Sequence, residues 1–168
     1  MKNNIHNLRQ RKKANQPFSM VAAYDATFTA ALNHAGIEAI LIGDSLGMVV
    51  QGHTSTLAVT IEQMVYHTEA VVKANQQSVE PALIIADLPF MSYATVESAL
   101  MNAAMLMRAG ANMIKLEGGA WLVETVMRLV ECGIPVCGHI GLTPQSVNKF
   151  GGFKVQGRQP EQQQQLLA

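Results

Sequence analysis

Asp44, Asp87 and Glu117 are the residues of this sequence best suited to act together, and each closes a short apolar run. Ala39-Ile-Leu-Ile42 leads through Gly43 into Asp44 and Ser45, Pro81-Ala-Leu-Ile-Ile-Ala86 leads into Asp87, and Asn112-Met-Ile-Lys-Leu116 leads into Glu117. A carboxylate at the mouth of a buried strand costs roughly several kcal/mol to desolvate unless a cation, a metal ion or a cluster of donors meets it. Three carboxylates with no comparable set of His or Cys suit a hard, oxygen-preferring ion. Mg²⁺ is favoured, because it takes one or two protein carboxylates and keeps its other positions for water and substrate. Zinc fits this ligand set poorly. The plainer alternative is three separate strand-end caps and ion pairs.

Asp25 and His139 also stand at predicted strand ends and are expected near the same rim. Lys115 and Glu117 are two apart on one strand, so their side chains share a face. They could form a buried ion pair. A lysine this close to carboxylates stays charged, which suits it to clamp an anionic substrate rather than to act as a base.

The elements that must position these residues follow from the apolar pattern. Strands are predicted over 18–25, 39–42, 81–87, 112–117 and 135–140, and helices over 27–35, 61–75, 95–109 and 120–132. Thr95 is a predicted N-cap. Val96, Leu100, Ala103, Ala104 and Met107 form the predicted apolar stripe of its helix. Ala35-Gly36, Ala109-Gly110 and Cys132-Gly133 each end a helix. The segments 47–60 and 141–157 read as glycine-bearing loops and as candidate lids. Strands alternating with helices at this pitch imply a parallel sheet with right-handed crossovers, whose strand carboxyl ends all lie on one side.

No G-x-G-x-x-G follows the first strand and no P-loop occurs, so a dinucleotide-binding sheet is disfavoured. The fold class expected is α/β, a (β/α)8 TIM barrel of which about five of the eight units fit into 168 residues. The segment 1–17 is read as a basic N-terminal segment and 18–168 as a partial barrel domain.

Bulk composition narrows the setting. The chain is 49% hydrophobic and 14% charged, enough for one domain with a core. It has no apolar run near the roughly 18 residues needed to span a bilayer, and its start lacks a secretory h-region. Cys132 and Cys137, the two cysteines, read as reduced packed thiols, which points to the cytoplasm. Five of the twelve basic residues (Lys2, Arg9, Arg11, Lys12, Lys13) crowd the start. With no interleaved aromatics, a solvated helix is the expected reading, over an arm for nucleic acid or a membrane surface.

Four segments together resemble the ketopantoate hydroxymethyltransferase family. They are Gly43-Asp-Ser-Leu-Gly-Met48 with Gln51-Gly-His53; Ala86-Asp-Leu-Pro-Phe-Met91 with Tyr93; Lys115-Leu-Glu-Gly-Gly119; and Pro135-Val-Cys-Gly-His-Ile-Gly-Leu-Thr-Pro-Gln-Ser146. The similarity runs from about Phe18 to Arg158 in matching order. It implies a (β/α)8 barrel, Mg²⁺, a decameric homo-oligomer in the cytoplasm, and a place in pantothenate and coenzyme A synthesis. The activity implied is one-carbon transfer from 5,10-methylenetetrahydrofolate to 3-methyl-2-oxobutanoate, giving 2-dehydropantoate. Carried over, Asp44 and Asp87 hold the metal, with Glu117 beside it directly or through water. Ser45 and Lys115 bind the substrate carboxylate and His139 lines the pocket, so Asp44, Ser45, Asp87, Lys115 and His139 form the expected substrate site. The family's general base is a glutamate on a later strand, expected beyond Ala168. Glu161 does not match it. Two other readings stay open: a Mg²⁺-dependent lyase or mutase of 2-oxo acids, and an inactive chain that only co-assembles with longer copies.

Overall fold

The computed structural model describes residues 3–167. Five parallel strands, β1 (Met20–Ala22), β2 (Ala39–Ile42), β3 (Leu83–Asp87), β4 (Met113–Glu117) and β5 (Val136–His139), lie side by side in sequence order. Between them run α2 (Ala26–His34), α4 (Ile61–Asn75), α5 (Val96–Arg108) and α6 (Val123–Glu131); α1 (Ile5–Lys13) precedes β1. Three further helices complete the chain: α3 (Leu46–Val49) after β2, and α7 (Val147–Phe150) and α8 (Pro160–Leu167) after β5. This is a sector of a β/α barrel, and the expected fold class holds.

Strand alternation sorts the side chains onto two faces. Ile40, Ile42, Ile84, Ala86, Ile114 and Leu116 belong to the large core between sheet and helices. Ala39, Leu41, Leu83, Ile85, Met113 and Cys137 form a smaller cluster on the other face. Continued by two residues toward the strand carboxyl ends, the same alternation puts Asp87, Lys115, Glu117 and His139 on that second face. The cross-strand register seats Lys115 beside Asp87 and His139 beside Glu117. Chemistry is thus stacked above a small apolar floor. Ile5 and Leu8 of α1 pack against that floor from below. The basic segment is therefore a half-packed helix, tied to β2 by Arg11, whose Nη1 lies 2.6 Å from Glu38.

Several boundaries differ from the expected ones. The first strand covers only three residues, because Asp25 is not a strand end but the N-cap of α2, accepting from the Phe28 N–H at 2.9 Å. The two expected loops are partly helical. Segment 47–60 holds α3 and a 3-10 turn at Thr56–Ala58, and segment 141–157 holds a 3-10 turn at Pro144–Ser146 leading into α7. The helix expected over 120–132 opens with a 3-10 turn, Ala120–Leu122. Thr95 caps α5 as expected, but the helix buries Ala99, Ala103 and Leu106 most deeply, with Leu100 and Met107 flanking them. Small residues sit at the centre of that stripe because α5 lies close to the sheet.

Candidate active site

The site is assembled where β2, β3, β4 and β5 end. Asp44, Asp87 and Glu117 are each at most 5% exposed. Gly43 brings the first of them in. A Cβ at Gly43 would stand 2.7 Å from Ser45 Oγ, so a larger residue here would displace the Ser45 hydroxyl, while Asp87 Oδ2 at 3.5 Å would remain in ordinary contact. The Asp44 N–H then donates to Asp87 Oδ2 at 3.2 Å.

Lys115 Nζ donates to both oxygens of Asp87, each at 2.8 Å. The observed ion pair is therefore with the neighbouring strand, whereas a pair with Glu117 along its own strand was one sequence expectation. An ammonium has three donors, so one remains after Asp87 is served. The pKa of Lys115 is raised: burial opposes its charge, and Asp87, Asp44 and Glu117 outweigh that. Burial also pushes the Asp87 carboxyl up to about 6, with Lys115 pulling it down and Asp44 pushing it further up. With the ammonium against both oxygens, Asp87 is a carboxylate at neutral pH.

Gln145, in the turn after β5, links the remaining carboxylates. Its Nε2 donates to Asp44 Oδ2 at 2.8 Å and to the Leu88 carbonyl at 3.0 Å, and its backbone N–H donates to Glu117 Oε1 at 2.6 Å. Its Oε1 faces the Tyr93 hydroxyl at 2.5 Å, and that hydroxyl also lies 3.0 Å from the Glu117 carbonyl. Burial pushes the Glu117 carboxyl up to about 7; the Gln145 N–H opposes this, and the Asp44 charge adds to it. Asp44 is raised by burial too, against the pull of Gln145 and Lys115. His139 Nδ1 approaches Glu117 Oε2 to 3.1 Å without the geometry of a hydrogen bond. Burial and then Lys115 lower the pKa of His139, so its imidazole is neutral at pH 7.

Ser45 Oγ lies 2.8 Å from the Tyr24 hydroxyl, and the Tyr24 carbonyl meets His67 Nδ1 at 2.7 Å. The structure thus gathers Asp44, Ser45, Asp87, Lys115, Glu117 and His139 at one end of the sheet and leaves Asp25 outside it. Gln145, Tyr93 and Tyr24 went unassigned in the sequence reading. Tyr24 was within reach of it, being the polar residue that follows β1. Gln145 gave no chemical signal of its own, being uncharged and six residues past its strand, although it lies inside the last of the four family-like segments.

The donor set is chemically suited to a hard dication. It consists of oxygens, and three mutually repelling buried carboxylates share a single ammonium. Among the described residues no three of His, Cys, Asp and Glu are already arranged as a ligand cage. Each carboxylate already has a protein partner, Gln145 for Asp44 and Glu117, and Lys115 for Asp87; Asp44 and Asp87, joined through the Asp44 N–H, could together serve an ion needing only one or two carboxylates, with Glu117 beside them.

An open-faced β/α barrel with acidic side chains at its strand carboxyl ends is the class of protein these features define. Solved structures of the same shape include 2,3-dimethylmalate lyase, a member of the PEP mutase/isocitrate lyase superfamily. It has a TM-score of 0.60 at 16% identity, covering 82% of this chain and 54% of that one. Oxaloacetate acetylhydrolase has a TM-score of 0.58 at 12% identity, covering 82% and 53%. At that identity the likeness concerns the fold alone.

The chain belongs to the ketopantoate hydroxymethyltransferase family, whose family model matches residues 2–168. It is 59% identical over 163 residues to the 3-methyl-2-oxobutanoate hydroxymethyltransferase of Psychromonas ingrahamii, covering 97% of this chain and 60% of that protein. The enzymes of the same name from Saccharophagus degradans and Colwellia psychrerythraea are 57% and 61% identical, covering 98% and 94% of this chain. The chain spans about 60% of the length of these curated relatives. Among the described residues no helix is long and apolar enough to cross a membrane.

Proposed function

We propose that this chain supplies the metal- and oxo-acid-binding part of a hydroxymethyltransferase that converts 3-methyl-2-oxobutanoate to 2-dehydropantoate. The one-carbon donor is 5,10-methylenetetrahydrofolate. The observation that carries this reading is the buried pair Asp44 and Asp87 at adjacent strand ends, with Lys115 against the second of them. The names of the relatives support the reaction.

Asp44 and Asp87 would hold Mg²⁺, and Glu117 would border it. Magnesium, when bound, supplies Lewis-acid stabilisation of the negative charge that gathers on the keto oxygen as C3 loses its proton. Lys115 places its remaining donor and its charge toward the substrate carboxylate. Ser45 donates to the same carboxylate, its hydroxyl aimed by Tyr24. Neutral His139 lines the pocket and adds no charge that would compete with Lys115. Removal of the C3 proton requires a base, a contribution worth about 10²–10⁴ in rate. That role is assigned to a glutamate on a later strand of the longer family chain and to none of the residues here. The assembly is proposed to be homo-oligomeric and cytoplasmic, as the resemblance implies.

Calorimetric titration with 3-methyl-2-oxobutanoate tests the reading. Binding is expected only with Mg²⁺ present, and Asp87→Ala should abolish it. Metal-indifferent binding would overturn the assignment. Mixed with the remaining barrel segment of a relative, the chain should transfer hydroxymethyl groups only when folate is supplied. Turnover of the oxo acid without folate would favour a lyase instead.

A further inference from the structure

Gln145 is an uncharged residue that reaches this charged cluster from outside the strands and touches it at two carboxylates. Its primary amide is held in a single orientation. Nε2 has an acceptor in Asp44 Oδ2 and a second in the Leu88 carbonyl, while Oε1 faces the Tyr93 hydroxyl. A flipped amide would set its carbonyl oxygen against a carboxylate and a carbonyl at once, with two donor hydrogens turned on the tyrosine. Tyr93 is buried and stacks on Trp121 with ring centroids 6.1 Å apart, so the lock is itself braced. The raised pKa of Tyr93, caused by burial and then by Glu117, keeps its hydroxyl a donor.

The consequence falls on Asp44. One of its oxygens, Oδ2, is taken up by the Gln145 amide at 2.8 Å, and the Thr56 hydroxyl also acts on this carboxylate. The carboxylate is therefore held unsymmetrically, with Oδ2 committed to a strong, oriented amide donor. Small dications and large ones differ in what they ask of such a group. Mg²⁺ requires near-octahedral, monodentate ligands, whereas Ca²⁺ takes six to eight oxygens and readily accepts a carboxylate through both.

We propose that Gln145 is the metal-selectivity residue of this site, restricting Asp44 to one-oxygen coordination and so favouring Mg²⁺ over Ca²⁺. The inference rests on the metal-binding role proposed above for Asp44 and Asp87. Gln145 acts through Asp44 and is a positioning residue. Its backbone N–H serves Glu117 independently of the side chain, which makes the side-chain role separable.

Calorimetric titrations of the 168-residue chain with MgCl₂ and with CaCl₂ at pH 8 test this. Gln145→Met keeps the length and the backbone donor and removes the amide. It should lower the ratio of Mg²⁺ to Ca²⁺ affinity by about tenfold, the lower end of what outer-shell ligand partners contribute. Tyr93→Phe frees the amide to turn and should move the ratio in the same direction by a smaller factor, so it carries the test if Gln145→Met does not fold. Gln145→Glu should retain the discrimination poorly, because a carboxylate cannot donate to Asp44. An unchanged ratio in folded Gln145→Met and Tyr93→Phe, with Mg²⁺ bound by the unaltered chain, would overturn the role of Gln145 alone. Failure of the unaltered chain to bind either ion would overturn the metal reading itself.

Discussion

Glu117 illustrates how a single residue reports the state of the whole site. Its carboxyl sits near pKa 7 because it is buried beside other carboxylates, whereas in an unfolded chain it would titrate near 4.5. The sign of the linkage follows. Below pH 7 the folded state takes up a proton that the unfolded state does not, so stability contributed by this group grows as pH falls from about 7 toward 4.5 and is lost as pH rises. Asp87, at about 6, acts the same way over a lower window, while His139, whose pKa is lowered, acts oppositely below its unfolded value. In EDTA, the melting temperature of the chain should therefore rise between pH 8 and pH 6. Glu117→Gln should flatten that rise, since it removes the titrating group while its amide oxygen still accepts from the Gln145 N–H. An equal slope in the variant would show that Glu117 titrates normally. At this scale the sequence was informative wherever a charge followed an apolar run: Asp44, Asp87, Lys115 and Glu117 all met as expected. It was silent on the neutral connectors. Gln145 and Tyr93 matter through three-dimensional hydrogen bonding that no local pattern encodes.

The helices and strands were legible for reasons of periodicity and capping, and their interruptions were not. Thr60 and Thr95 both form capping boxes, with Gln63 and Ser98, and both helices start where those residues indicate. The segment after β2 looked like a loop because Gly47, Gly52 and three threonines suppress any helical signal. Yet four residues there turn into α3, and Gly47 within it lies so close to Val59 that a Cβ would stand 2.6 Å from Val59 Cγ2. Helix ends offer a quantitative comparison. Gly36 and Gly110 both follow a helix with positive φ, 75° and 106°. A Cβ at Gly36 would meet nothing within 4 Å, but at Gly110 it would stand 2.6 Å from Val72 Cγ1 of α4. Gly36→Ala is thus expected to cost only backbone strain, about 1 kcal/mol. Gly110→Ala adds overpacking of a core valine and should cost about 3 kcal/mol or more. Urea denaturation with unchanged m-values measures both, and equal losses would mean that α5 and α4 are free to separate at this point.

At the scale of the whole sheet, the decisive feature is that α1 packs against the apolar floor beneath the site. β1 and β5 have no outer neighbour among the described residues, and Met20 on β1 is half exposed. The order and direction of the strands were readable from the alternation of apolar runs and helix stops. The placement of α1 was not, because its charged residues dominate its composition and only Ile5 and Leu8 reveal a buried side. Those two side chains close the end of the sheet opposite the site, on the same inner face whose next layer holds Asp87 and Lys115. Removing them should therefore loosen the floor beneath the ion pair. The double variant Ile5→Ala/Leu8→Ala should lose about 2–4 kcal/mol, roughly half of what two fully buried truncations would cost, since both are partly exposed. Arg11→Ala should lose less, about 1 kcal/mol, because its partner Glu38 also accepts from the Ser19 N–H and stays partly satisfied. If α1 were instead a solvated arm, the double variant would unfold at the same urea concentration as the unaltered chain, and the basic cluster would regain its claim to an external partner.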